Sequence, residues 1–236
     1  MLIDIESKYW KKGVNLIAGV DEVGRGCLAG PMVVAAVILN PDHINETIGK
    51  GVSFGNGVSF RNNDVSLQNF KYYNRIKDSK KLSPNIRTIL SEFIKNNAIS
   101  YSIEIIENTK IDEWGISKST QIGFFNVINK LKKKPDHILT DSFKIAILPE
   151  YRQTNITRGD SLSISIAAAS IVAKVYRDNL MVKLHNSNGK YALYGFDKHK
   201  GYGTRQHLAA LLEHGPADIH RKSFKPVRSC LTTPRN

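Results

Sequence analysis

Two apolar segments dominate the first part of the chain, residues 14–20 and residues 32–39 (MVVAAVIL). Both are short, rich in β-branched residues and bounded by turn formers, so both are predicted to be buried strands. Residues 24–31, GRGCLAGP, join them like the loop of a hairpin. The first segment leads straight into two adjacent carboxylates, Asp21 and Glu22. Neighbouring side chains on a strand point to opposite faces, so one acid is driven toward the core unless the strand ends there.

Helical spacing takes over further along. Ser83 is placed to cap a helix with Pro84 at its first position, and Ile86, Ile89, Leu90, Phe93 and Ile94 form one apolar stripe. Ile99, Tyr101, Ile103 and Ile105 alternate, which predicts a strand with that face buried. Helical pieces follow from about 109 to 133, with Ile122, Phe125 and Ile128 inward. Residues 137–141 (HILTD) form a short strand that again ends on an acid, Asp141. A long helix occupies about 161–186, preceded by Asp160, and its Ala167-Ala168-Ala169-Ser170 run allows close approach to a sheet.

Strands and helices alternating in this way define an α/β fold, a mixed central sheet flanked by helices. No linker divides the chain, so residues 1–236 read as a single domain. Residues 41–74 stand apart: they are rich in Asn, Gly and Ser, and carry GVSF at 51–54 and again at 57–60. They read as an inserted, flexible loop.

Charge narrows the class of partner. The 34 Lys and Arg exceed the 21 Asp and Glu by 13, an excess that points to a polyanion, with nucleic acid foremost. The two cysteines, Cys27 and Cys230, suggest neither a disulfide framework nor a zinc site. No apolar run approaches membrane-spanning length and the N-terminus has no leader pattern, so the expectation is a soluble, cytoplasmic protein with no membrane partner. Nothing in the pattern calls for an obligate dimer, and a monomer is expected. His199, His207 and His220 lie in basic surroundings and are read as solvated or phosphate-contacting. Ser161, Ser163 and Ser165 have no paired base and are read as structural.

The acids suggest the chemistry. Asp21-Glu22, Asp141 and Asp160 come from separate segments, each where a strand stops or a helix starts, which is the ligand-facing edge of α/β sheets. Taken singly, Asp160 could cap its helix and Asp141 could begin a turn. Taken together, converging carboxylates repel one another unless cations neutralise them. Hard oxygen ligands suit Mg²⁺ or Mn²⁺, and two such ions support in-line phosphoryl displacement. A basic protein with an acidic, metal-loaded notch has the makings of a nuclease.

GVDEVGRGCLAGP (19–31), DSKKL (78–82), RGDSLSISIAAASIVAKVYRD (158–178), HKGYGT (199–204) and HRKSFKPV (220–227) occur in series, and the chain thereby resembles the ribonuclease HII family. The resemblance implies a ribonuclease H-like fold and a divalent-metal endonuclease that uses two ions, Mg²⁺ or Mn²⁺. By it, Asp21, Glu22, Asp141 and Asp160 are the catalytic and metal-binding acids. Gly24, Arg25 and Gly26 are the substrate loop, Lys80 binds phosphate, and Tyr202 packs on the sugar at an RNA–DNA junction. The implied reaction hydrolyses the RNA strand of RNA–DNA hybrids and cuts DNA 5′ to single embedded ribonucleotides, leaving 3′-OH and 5′-phosphate ends. Its implied task is ribonucleotide excision in DNA repair and replication. Asp178 lies in one of the motifs but is read as a structural ion pair. The chain departs from the family pattern at Val23, usually alanine, at Thr140-Asp141-Ser142, usually apolar-Asp-Gly, and in the length of the 41–74 stretch. It also stops soon after 220–227, without the longer tail of some members. Two alternatives stand beside this reading. A ribonuclease HIII-type hybrid nuclease is disfavoured by how early the first catalytic strand begins. A non-catalytic basic nucleic-acid binder is disfavoured by the four acids.

Overall fold

The structure is a computed structural model and describes residues 1–49 and 65–232. Five strands, β1 (Ile17–Val23), β2 (Met32–Ile38), β3 (Ser100–Ile106), β4 (His137–Asp141) and β5 (Gln153–Ile156), form one sheet in the order β3-β2-β1-β4-β5. β1 runs parallel to β4, and β4 to β5. The short connection between β1 and its neighbour β2 admits only an antiparallel return, so the sheet is mixed, as the pattern predicts. The helices are α1 (Asp4–Trp10), α2 (Pro41–Gly49), α3 (Val65–Arg75), α4 (Pro84–Asn97), α5 (Asn108–Trp114), α6 (Ile116–Asn129), α7 (Ile164–Ser187), α8 (Gly189–Ala192), α9 (Phe196–His199), α10 (Arg205–His214) and α11 (Lys225–Thr232). No helix among the described residues is long and apolar enough to cross a membrane.

Two compact units emerge, each drawn from three stretches of chain. The first comprises Met1–Asp21, Ala36–Ser102 and Leu131–Val172; the second comprises Glu22–Ala35, Ile103–Lys130 and Ala173–Asn236. In the first, Ile17, Leu139 and Ile166 form a core against which Ile5, Tyr9, Trp10 and Val14 pack. This brings α1 to the start of α7. The fully buried Glu6 accepts hydrogen bonds there from Ser163 Oγ and from the Ser165 amide at 3.0 Å, and so satisfies two donors at the helix entrance. Ser163 and Ser165 are buried at this entrance, and the carboxylate that Ser163 meets is the buried Glu6, a partner not foreseen from the sequence.

The contact between β1 and α7 depends on the absence of a side chain. A Cβ at Gly19 would sit 2.0 Å from the backbone carbon of Ser165, so the helix lies directly on the strand. Ala167, Ala168 and Ala169 continue that close face and are fully buried.

Several expectations change register. β1 does not end at the carboxylates but continues through both to Val23, which is itself buried. On β3 the buried face is Ser100, Ser102, Glu104 and Ile106, whereas Tyr101 is exposed. Polar groups tolerate that burial because each finds a partner. Glu104 accepts from Asn126 Nδ2 at 3.0 Å and pairs with Lys130, and Ser100 Oγ accepts from the Lys132 amide at 3.0 Å. On α6 the inward residues are Phe124, Val127 and Ile128, with Phe125 outward. Gly123 sets that rotation, since a Cβ there would meet Val34 at 2.8 Å. On α4, Ser83 caps Ile86 as expected, but Ile89 is exposed.

The 41–74 stretch is helical at both ends rather than a loop throughout. Ile44 of α2 and Tyr73 of α3 are fully buried, and Tyr73 meets Phe93 of α4 edge-on at 5.0 Å. The repeated GVSF lies outside the described residues.

Gly19→Ala should lower the unfolding free energy in urea by about 3 kcal/mol, because a methyl group overlaps helix backbone that has no room to yield. Gly189→Ala, where nothing lies within 4 Å of the added carbon, should leave it unchanged.

Candidate active site

In the first unit, parallel pairing arranges the acids. The β1–β4 register runs from Ile17–His137 to Val20–Thr140, so Asp21 and Asp141 are the next residue on each strand. Adjacent strands are about 4.8 Å apart, and in-register residues share a face. Gly19 faces α7; Asp21, two residues on, shares that side. Asp160 sits in the 3₁₀ turn Gly159–Ser161 that leads into α7. Asp141 reaches that turn through its Oδ1, which accepts from the Gly159 amide at 2.8 Å. Asp21 and Asp160 are each 6% exposed. Burial, followed by repulsion from Asp78 and Asp141, pushes the Asp160 carboxyl above the ordinary carboxylate range, and Lys80 offsets part of this.

Lys80 lies 3.8 Å from Asp160, with its side chain 81% exposed. Its turn is firmly held. Ser79 Oγ bonds Ser170 Oγ of α7 at 3.0 Å, and Arg87 Nη1 donates to the Ser79 and Leu82 carbonyls. Asp78 accepts from the Lys80 amide at 2.9 Å and adds a further acid close to Asp160. The sequence reading used DSKKL for its lysines and passed over this aspartate. The serine after Asp141 adopts φ +60°, the left-handed conformation that glycine takes without strain. The turn expected of Asp-Gly therefore forms with serine, whose Oγ donates to Asp141 Oδ1 at 3.2 Å.

In the second unit, Glu22 is half-buried and opens the segment carrying Gly24, Arg25 and Gly26. Two fully buried arginines hold this loop. Arg221 donates to the carbonyls of Gly24 (2.7 Å), Arg25 (2.8 Å) and Gly30 (3.0 Å). Arg177 donates to those of Ala29 (3.2 Å), Pro31 (2.9 Å) and Lys200 (2.8 Å). Neither arginine was singled out from the sequence; the only signal was membership of YRD and HRK in the quoted motifs. Arg25 Nε lies 3.4 Å from Thr120 Oγ1. Asp178 pairs with Lys174 at 2.9 Å, one helical turn away, in keeping with its structural reading.

Tyr202 is 40% exposed, with Lys174 Nζ and Arg177 Cζ at 5.6 and 5.9 Å from its ring centre. Its hydroxyl hydrogen-bonds the buried Cys27 thiol, and burial pushes the phenol up to about 12. Both cysteines are free. Behind Tyr202 the histidine reading is overturned: His207 and His220 are fully buried, not solvated. Their hydrogen bonds form a directional chain. The Ala217 amide donates to His220 Nδ1 (2.9 Å), His220 Nε2 lies 3.0 Å from His207 Nε2, and His207 Nδ1 lies 2.9 Å from the Tyr202 carbonyl. A carbonyl requires a donor, so His207 is protonated at Nδ1 and accepts at Nε2 from His220. Both rings are neutral, and burial brings each down to about 4.

A mixed five-stranded sheet flanked by helices, with acids in the last residues of its central parallel strands β1 and β4, is the fold of ribonuclease H-type nucleases. Solved structures agree. The ribonuclease H2 of Pyrococcus horikoshii superposes with a TM-score of 0.65 at 22% identity, covering 91% of this chain and 96% of that one. A "Bst-RNase HIII in complex with Mn2+" reaches 0.61 at 18%, covering 92% and 70%. In sequence, the family model described as Ribonuclease HII matches residues 18–53 and 61–227. The Ribonuclease HII of Herpetosiphon aurantiacus is 40% identical over 222 residues, 94% of each chain. The chain belongs to the ribonuclease HII family. It is a ribonuclease H, an endonuclease acting on nucleic acid.

The raised Asp160 carboxyl means that the fold favours its neutral form, so ionised Asp160 works against folding at neutral pH. Asp160→Asn should therefore unfold at a higher temperature than wild type at pH 7 in EDTA, by calorimetry. The histidine pair acts with the opposite sign. Below their ordinary value of 6.5 the unfolded chain takes up protons that the fold refuses until about pH 4. Their contribution is complete above pH 6.5 and is lost as pH falls toward 4. Melting temperature should drop more steeply from pH 7 to pH 4.5 in wild type than in a His207→Gln/His220→Gln double variant.

Proposed function

We propose that the chain cuts duplex DNA on the 5′ side of an embedded ribonucleotide, and the RNA strand of hybrids, leaving 3′-OH and 5′-phosphate ends. In this reading Asp21, Glu22, Asp141 and Asp160 hold two divalent ions, Mg²⁺ or Mn²⁺. The observation that carries it lies in the first unit, where the register of neighbouring parallel strands sets Asp21 beside Asp141, and burial with repulsion from Asp78 and Asp141 raises the Asp160 carboxyl.

The donor chemistry fits such ions. All four ligands are carboxylates, the hard donors that Mg²⁺ and Mn²⁺ prefer, and the raised Asp160 carboxyl marks a place short of positive charge. Among the described residues no three His, Cys, Asp or Glu side chains are grouped closely enough to enclose an ion. Mg²⁺ retains several waters and shares its ligands with phosphate oxygens, so it does not depend on enclosure by protein side chains alone. The Mn²⁺ complex of the ribonuclease HIII of like fold supports the same class of ion. When bound, paired ions lower the pKa of the attacking water and neutralise charge on the phosphate and leaving oxygen. The chain's own part is positional. Asp141, fixed by the Gly159 amide, holds its carboxylate against the Asp160 turn. Lys80 offers an exposed ammonium to a backbone phosphate.

Gly26 supports the assignment of 24–26 as the substrate loop. Gly24 has internal reasons to be glycine: φ is +90°, and a Cβ would meet Arg177 Nε at 2.0 Å. Gly26 has neither reason; it is exposed and nothing lies within 4 Å of an added Cβ. A need that the fold does not impose is imposed from outside, by nucleic-acid backbone approaching the main chain. Tyr202, with its ring partly open and its hydroxyl tied to Cys27, is the sugar-packing group in this reading. The protein acts as a cytoplasmic monomer in removing ribonucleotides from DNA.

The test is a duplex carrying one ribonucleotide, incubated with Mg²⁺ or EDTA. A single Mg²⁺-dependent nick 5′ to the ribonucleotide is expected. Asp21→Asn should abolish it while leaving duplex binding intact; a variant nicking at the wild-type rate would refute the assignment. Gly26→Ala should keep the wild-type melting temperature and raise KM.

A further inference from the structure

We infer that Arg221, supported by Arg177, is a positioning residue for ribonucleotide recognition, because it dictates which way the peptides of the 24–26 loop face. The inference rests on the reading of that loop as the substrate contact.

Peptide geometry carries the argument. In a trans peptide the C=O and the following N–H point in opposite directions, and no cis peptide occurs among the described residues. The two Nη atoms of Arg221 hold the carbonyls of Gly24 and Arg25. The amides of Arg25 and Gly26 must then point away from Arg221. Since Arg221 is fully buried and Gly26 is exposed, away from Arg221 is outward. Two successive amides aimed the same way make a concave donor pair for an oxygen lone pair, as a 2′-hydroxyl or phosphate presents.

Arg221 divides its bonds tellingly. Nε secures Gly30, at the far end of the loop, while both Nη atoms act on the tip alone. Arg177 fixes the base through Ala29 and Pro31 and ties Lys200, two residues before Tyr202, to the same anchor. Loop and sugar-packing tyrosine are thereby registered to one pair of guanidiniums. A lysine cannot replace this function, since one ammonium lacks the planar fork that holds two carbonyls in a fixed relation. The two buried positive charges also add a field beneath the loop that favours a polyanion above it.

The deciding experiment is steady-state cleavage of the single-ribonucleotide duplex in Mg²⁺ by Arg221→Lys and by Gly26→Ala. Arg221→Lys should raise KM at least about tenfold with kcat within about threefold, since mere loss of folded enzyme lowers apparent kcat and leaves KM alone. An Arg221→Lys KM within about twofold of wild type overturns the inference. Gly26→Ala separates the layers. An unchanged KM there removes the substrate-loop reading itself, whereas a raised KM there with a normal one in Arg221→Lys removes only the clamp. If Arg221→Lys fails to fold, amide exchange in the Asp21→Asn protein decides. The Arg25 and Gly26 amides should be protected by the ribonucleotide duplex and not by an all-DNA duplex; equal exchange with both overturns the clamp.

Discussion

The approach of β1 to α7 at Gly19 is the constraint from which the acidic site follows. With no side chain in the way, the backbone at Ser165 lies on the strand, and the helix entrance is fixed against it. Strand periodicity then turns Asp21 to the side where α7 begins, and the turn before α7 carries Asp160. The parallel β1–β4 register brings Asp141 level with Asp21. Glu6 reinforces the arrangement from α1 by taking the Ser163 hydroxyl and Ser165 amide, although α1 lies outside residues 18–53 and 61–227 matched by the family.

Gathering carboxylates in a partly dry place opposes folding, and the structure limits the cost without removing it. Asp141 accepts from the Gly159 amide and the Ser142 hydroxyl; Asp160 feels the charges of Lys80 and Lys81 yet remains raised. Burial and the neighbouring acids Asp78 and Asp141 thus leave the Asp160 carboxyl less than fully neutralised by the protein itself. These acids stand against a chain whose net charge is +13.

In the second unit, buried side chains hold main chain in place. Its loop is held from beneath by buried guanidiniums, and Tyr202 is anchored from behind by neutral histidines. Both devices use carbonyl acceptors, those of Gly24, Arg25 and Gly30 for Arg221 and that of Tyr202 for His207. Burying two arginines is tolerable because carbonyl dipoles converge on each: three on Arg177 and three on Arg221.

The sequence by itself determined the class of fold, the strands bearing Asp21 and Asp141, the long helix after Asp160 and the family motifs, because periodicity, caps and glycine are local signals. It did not determine which face of β3 or α6 turns inward. Those choices depend on Glu104 finding Asn126 and Lys130, and on Gly123 meeting Val34. It also misread His207 and His220, whose basic neighbours in sequence are not their neighbours in space. The helical ends of 41–74 escaped notice because Ile44 and Tyr73 gain their burial from partners, not from a periodic stripe. Only tertiary structure decided that Arg177 and Arg221 hold the loop, since their acceptors in it lie more than a hundred residues away along the chain. Hydrogen-bond direction between distant segments has no local trace in composition or spacing.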